Sequence, residues 1–275
     1  MKDFFKISRV RHEPYFTMDK PHYHTDYEIY YLLNGKRRFF IGDSIYNIKG
    51  GDAVVLPKGV IHRTTYLDSS SHERFNTVFS KNYIEDIMSV ISDNFMGDIF
   101  SSHYIVSVPQ SRQGYVTGIF ERMYMEYTSG DMYSGINIKN NLQELVIFLI
   151  RCLNFRESYV TAPLDTTDYL MQEAARYISG NFNKELTLND VAARVNMSPS
   201  YFSKKFKGAT GFGFKEYLIN LRLNKAALLL LETNLSVTDI AMNCGFNDSN
   251  YFGDIFRRIK GMSPLNYRKS NTMGG

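Results

Sequence analysis

Three hydrophobic periods follow one another along the chain. From about residue 22 to 80, apolar residues come in short runs rich in Tyr, Phe, Ile and Val. The runs are interrupted at Asn34-Gly35, Gly42-Asp43 and Gly50-Gly51, a pattern that predicts antiparallel strands joined by tight turns. From about 81 to 155 the spacing becomes helical over 83–91, 112–127 and 136–153, with one strand-like piece at 104–108. Leu142, Leu145, Leu149 and Leu153 fall on one stripe of the last of these helices. Such a stripe serves either to pack the helix onto the strands or as the seam of a homodimer. Residues 156–168, RESYVTAPLDTTD, carry no period and read as a linker between residues 1–155 and an all-helical region, 169–275.

That last region contains the same device twice. TLNDVA at 187–192 answers to SVTDIA at 236–241, each a hydroxyl residue three before an aspartate, the pattern that satisfies free amides at a helix start. Asn196 and Gly245 follow, residue types that accept the left-handed conformation a tight interhelical turn needs. Ser198-Pro199 and Asn247-Asp248 then supply caps for second helices, on which Phe202 and Phe206 answer to Phe252 and Phe256 as inward i, i+4 pairs. Gly211 to Tyr217 answers to Gly261 to Tyr267 at the exits. Two helix-turn-helix units are therefore expected, joined by a helix over 214–232. At 1.5 Å per residue that helix spans roughly 28 Å, somewhat short of the roughly 34 Å between successive major grooves, so both units reach one DNA face if the duplex bends.

Charge supports this. The chain is +4 overall, but residues 169–275 hold 14 Lys/Arg against 8 Asp/Glu, leaving 18 against 20 in the rest. A basic tail on a near-neutral front fits a polyanionic partner. Opposite the inward phenylalanines lie Ser200, Ser203, Lys204 and Lys207 in the first copy, and Asn250, Gly253, Asp254 and Arg257 in the second; Ser249 and Arg258 join them as DNA-binding candidates. Asn250 suits an adenine edge and Lys204 a guanine edge; Lys207, Arg257, Arg258 and Lys260 are placed at phosphates, and Asp254 either accepts from a cytosine amine or serves as a cap or in an intraprotein ion pair. Two cysteines, Cys152 and Cys244, each inside an apolar pattern, exclude a disulfide framework. No apolar run approaches the length of a signal or membrane segment, so a cytoplasmic protein with no membrane partner is expected.

The segments DVAARVNMSPSYFSKKFK, GFGFKEYLINLRLNKAALLL and DIAMNCGFNDSNYFGDIFRRIKGMSPLNYR resemble the DNA-binding domain of the AraC/XylS (arabinose-operon regulator) family. The resemblance implies a transcription regulator, usually an activator, that binds double-stranded DNA with two helices of one chain, works as a homodimer and contacts RNA polymerase.

The front region carries its own chemistry. His22-x-His24-x3-Glu28-x6-Gly35 and Gly51-x5-Pro57-x-Gly59-x2-His62 together resemble the two motifs of the cupin barrel, with Tyr66 where an asparagine can close the second. The fold class implied is α+β: an N-terminal antiparallel, cupin-like β-barrel with a helical dimerisation segment, then the all-α double helix-turn-helix domain. In an extended segment His22, His24, Glu28 and Tyr30 share parity and point into one interior. His22, His24, Glu28 and His62 form either a divalent-metal set or the polar wall of a metal-free pocket. Tyr30, Arg74 and Asn76 add hydrogen-bond partners beside aromatic faces, which suits a carbohydrate effector. Arg37, Arg38 and Arg63 leave room for a sugar acid or phosphorylated sugar, although adjacent Arg37 and Arg38 cannot both face inward. A metal-dependent cupin enzyme fused to a DNA reader is the alternative; no catalytic residue and no cofactor other than that metal is expected.

Overall fold

The computed structural model describes residues 4–18, 24–92, 99–100, 102–154 and 164–272. The chain divides into two compact units, residues 2–164 and 165–275.

The first unit contains β1 (Phe5–His12), β2 (Tyr27–Asn34), β3 (Lys36–Ile41), β4 (Ser44–Lys49), β5 (Asp52–Leu56), β6 (His62–Tyr66) and β7 (His72–Phe79). After these come α1 (Glu85–Ser92), β8 (Tyr104–Ser107), α2 (Gln110–Ser129) and α3 (Ser134–Asn154). The strands form two antiparallel sheets, ordered β1-β7-β2-β5-β8 and β4-β3-β6. β1 lies upstream of the region expected to hold strands: its charged Lys6, Arg9 and Arg11 mask the alternation, and pairing with β7 along its whole length stabilises it. Nor does the sheet end near residue 80, because β8 pairs with β5 at the other edge.

Parity then decides which way each side chain faces. β2 is buried on both sides. Tyr27, Ile29 and Tyr31 join Phe75, Phe79, Val116, Phe120, Leu142, Leu145 and Leu149 in a core between the five-stranded sheet and the helices. Tyr30 and Leu32 join Phe39, Ile41, Ile48, Val54 and Leu56 in a second core between the two sheets. The leucine stripe is thereby assigned: Leu142, Leu145 and Leu149 are fully buried and Leu153 packs beside them, so the stripe binds α3 to its own sheet and is not a dimer seam. Gly35, at φ +84° in the β2–β3 turn, has no room for a side chain, since a Cβ there would lie 2.6 Å from the Ser71 carbonyl oxygen.

The second unit is helical: α4 (Thr166–Gly180), α5 (Leu188–Arg194), α6 (Pro199–Thr210), α7 (Phe214–Glu232), α8 (Val237–Asn243), α9 (Ser249–Lys260) and α10 (Pro264–Thr272). Local sequence accounts for the ends. Thr187 and Asp190 form a reciprocal capping box on α5, Ser236 accepts from the Asp239 amide on α8, and Ser198 and Asp248 cap α6 and α9. Asn196 (φ 54°) and Gly245 (φ 83°) make the two interhelical turns in the left-handed region. The core repeats as well. The Phe202 and Phe206 rings lie 5.2 Å apart and Phe206 meets Tyr217 at 5.5 Å; the Phe252 and Phe256 rings meet edge-on at 5.5 Å and Phe256 meets Tyr267 at 5.4 Å. α7 is shared between the copies, with Phe214, Tyr217 and Leu218 buried towards its start and Leu223, Ala226, Ala227 and Leu230 packed against α8 and α9. Among the described residues no helix is long and apolar enough to cross a membrane.

Candidate nucleic-acid interface and ligand pocket

Docking α6 and α9 through their phenylalanines leaves the opposite faces in solvent. Ser200, Lys204 and Lys207 on α6 and Asn250, Arg257 and Arg258 on α9 are exposed, with Ser203 and Ser249 half-buried. Asp254 pairs with Arg257 at 3.0 Å, both exposed. Lys260 departs from expectation. Its Nζ donates to Asn224 Oδ1 of α7 at 2.8 Å, and burial brings its pKa down to about 8, so it is a packing residue and not a phosphate contact. Tyr201 and Tyr251, about half-exposed at equivalent positions of the two helices, were missed; the repeated tripeptides SYF and NYF carried the signal.

In the first unit, Glu28 is only 3% exposed. Its Oε2 lies 2.9 Å from His24 Nε2 and 3.1 Å from His62 Nε2. Burial pushes the Glu28 carboxyl up, but the His62 and His24 imidazoles outweigh it and hold the group well below the usual carboxylate range. Burial likewise opposes charge on His62, and Glu28 prevails, raising it. His62 Nδ1 also sits 3.0 Å from the Val60 carbonyl oxygen. If Nδ1 donates there, a neutral ring turns its Nε2 lone pair toward the carboxylate, so the contact needs a second proton or a cation between the two atoms. The donor atoms of His24, Glu28 and His62 lie within 4.8 Å of one another, a nitrogen–oxygen–nitrogen set that fits a divalent ion. His24 precedes β2 and is not part of an extended run with Glu28. His22 lies outside the described residues.

Across the same interior face, strand register sets Tyr30 opposite Asn76, Leu32 opposite Arg74, and His12 opposite His72. The Arg74 guanidinium lies 5.2 Å from the Tyr30 ring centroid. Among the described residues, Tyr30 Oη, Asn76 Oδ1 and Arg74 Nη1 are buried without a hydrogen-bond partner, as are His12 Nε2 and Arg37 Nε. From the facing sheet Arg37, 1% exposed, donates to the Phe16 carbonyl oxygen at 2.6 Å and to Thr64 Oγ1 at 3.3 Å. Arg38 takes the opposite face of β3, and Arg63 donates to the Met18 carbonyl oxygen at 2.9 Å. His12 stacks on Phe16 and His72. Burial, with Arg37, His12 and Arg74 around it, brings His72 down to about 3. His12 and His72 escaped the sequence reading because only β1 pairing with β7 brings them together.

Comparison with known proteins agrees with both halves. The description of an AraC-like ligand binding domain matches residues 8–146, and that of a helix-turn-helix domain matches residues 191–270. The chain is 25% identical over 251 residues to the Msm operon regulatory protein of Streptococcus mutans, covering 89% of this chain and 84% of that one. It is 26% identical over 273 residues to the HTH-type transcriptional activator RhaS of Klebsiella pneumoniae, covering 97% and 95%. Over 101 residues it is 34% identical to the melibiose operon regulatory protein of Escherichia coli, covering 37% and 33%.

Proposed function

The chain belongs to the AraC family of DNA-binding transcription regulators, and from that premise we propose that it is a ligand-controlled activator whose effector is carbohydrate-like. The observation that carries this is the pair of capped helices, α6 and α9, each presenting an exposed polar and basic face from one compact unit. Ser200, Ser203 and Lys204 on α6, with Ser249 and Asn250 on α9, read base edges; Lys207, Arg257 and Arg258 hold phosphates. The names of its relatives, an activator and a melibiose operon regulator, favour activation through RNA polymerase and a sugar-type signal. The interior between the sheets, with Tyr30, Arg74, Asn76, His24, Glu28 and His62, receives the effector and acts as a sensor without turnover. Two such chains act together as a homodimer. Selection of the full chain on random duplex DNA tests the DNA assignment. It should enrich two base blocks about one helical turn apart for each chain bound; a single block, or none, sinks it.

The convergence of His24, Glu28 and His62 favours a second reading, in which the signal is a divalent metal. Its test is metal content after purification and the thermal shift on adding zinc, nickel or manganese, to the parent and to Glu28→Gln. A stabilisation that Glu28→Gln removes supports the metal; no shift in either chain rejects it.

A further inference from the structure

We propose that the sensor interior grips the anionic group of an acidic effector, a carboxylate or phosphate on a small polyol, between Arg37 and Arg74. The proposal rests on the effector-pocket reading and deepens it. Both sheets send a guanidinium into one space: β7 puts Arg74 on the interior face, in the row that register joins to Val10 and Leu32, and β3 supplies Arg37 from across the gap. The two arginines act on each other, and both act on His12 and His72, as like charges. Arg37 spends its hydrogen bonds on neutral oxygens, those of Phe16 and Thr64, and these do not neutralise it. Among the described residues the buried acids of this unit are already engaged: His24 and His62 hold Glu28, and Asp52 accepts from the Lys49 amide and the Ser107 hydroxyl.

Arg37 is buried and Arg74 half-buried, and two cations brought together there with no counter-charge among the described residues are unfavourable; an oxyanion relieves them. The groups left over have the right polarity. Arg74 Nη1 and Arg37 Nε are unused donors of the planar fork that fits carboxylate and phosphate. Tyr30, 3% exposed, has its hydroxyl buried without a partner among the described residues and serves as a third donor. Asn76 Oδ1 is an unused acceptor, which an anion cannot satisfy and an effector hydroxyl can. Oxyanion and hydroxyl on one small molecule describe an acidic polyol, whereas a neutral sugar leaves Arg37 and Arg74 facing each other unneutralised.

The test uses the full chain with glucose, glucuronate, glucose 6-phosphate and inorganic phosphate as probes at matched ionic strength. Binding is read by thermal shift and by the ring resonances of His12 and His72. At least one acid should bind about tenfold or more tightly than glucose, and Arg74→Met should erase that advantage. The tighter of glucuronate and glucose 6-phosphate identifies carboxylate or phosphate as the source. The proposal is overturned if glucose binds as well as its acids. It is equally overturned if no anion at millimolar concentration moves either readout, or if the shifts persist in Arg74→Met. The effector-pocket reading fails by a different sign: anions bind at Arg74 in the parent, yet reporter output from a regulated promoter is the same for parent and Arg74→Met under every growth condition.

Discussion

A single cation on a recognition helix contributes through one phosphate or one base edge, so neighbouring lysines and arginines on α9 need not behave alike. Arg257 is exposed, whereas Lys260 is turned onto Asn224. Arg257→Ala should reduce the slope of log affinity against log salt by about 1, and Lys260→Met should leave that slope alone. Equal slopes in the two variants, measured by salt titration of DNA binding, rule out the assignment. His72 makes a second prediction. Its folded pKa of about 3 lies below the 6.5 of the unfolded chain. The folded protein stays neutral at His72 where the unfolded chain takes up a proton, so this contribution is complete above about pH 6.5 and is lost as pH falls toward 3. His12 shifts the same way and His62 the opposite way, so the informative quantity is the difference between the parent and His72→Phe. Between pH 7.5 and 5 the parent should lose more stability to urea than the variant, with a limiting slope of about 1.4 kcal/mol per pH unit. Parallel losses would show that His72 is not held neutral. At this scale, which lysines and serines face outward on α6 was legible from the phenylalanine spacing. The inward turn of Lys260 was not, because its partner lies on another helix.

Elements inherit their reliability from the range of the forces that form them. Both helix-turn-helix units of the second unit are bounded by residues within one turn: a side-chain cap on α5, α6, α8 and α9, a left-handed Asn or Gly in each interhelical turn, and a proline opening α6. The sequence shows all of these directly. β1 was missed because an edge strand rich in charge exists by virtue of its partner β7. α3 illustrates the third case. Its leucine stripe was visible, but periodicity is the same whether a stripe packs on a sheet or on a second chain. With Leu145 fully buried among sheet residues, Leu145→Ala should destabilise the first unit by about 2–5 kcal/mol, seen as a lower unfolding midpoint. Loss of self-association with the fold intact would instead restore the dimer-seam reading.

For the whole molecule, regulation requires that occupancy of the first unit alter what the second does on DNA. Saturating effector should therefore change affinity, footprint or promoter output in the full chain. A fragment beginning at residue 160 should keep the base preference and lose that response. If the fragment and the full chain regulate identically, the first unit is not a sensor. The double helix-turn-helix was determined by sequence alone, because caps, turn residues and i, i+4 aromatics act within a few residues of one another. The histidine–glutamate motif was also legible there, as a set of residue types at a spacing. Tertiary structure alone decided that Glu28 closes on His24 and His62, and that Arg37 confronts Arg74, His12 and His72 in an interior with unused donors. Those meetings depend on strand register and on two sheets facing each other, and contacts made between distant segments leave no period in the chain that forms them.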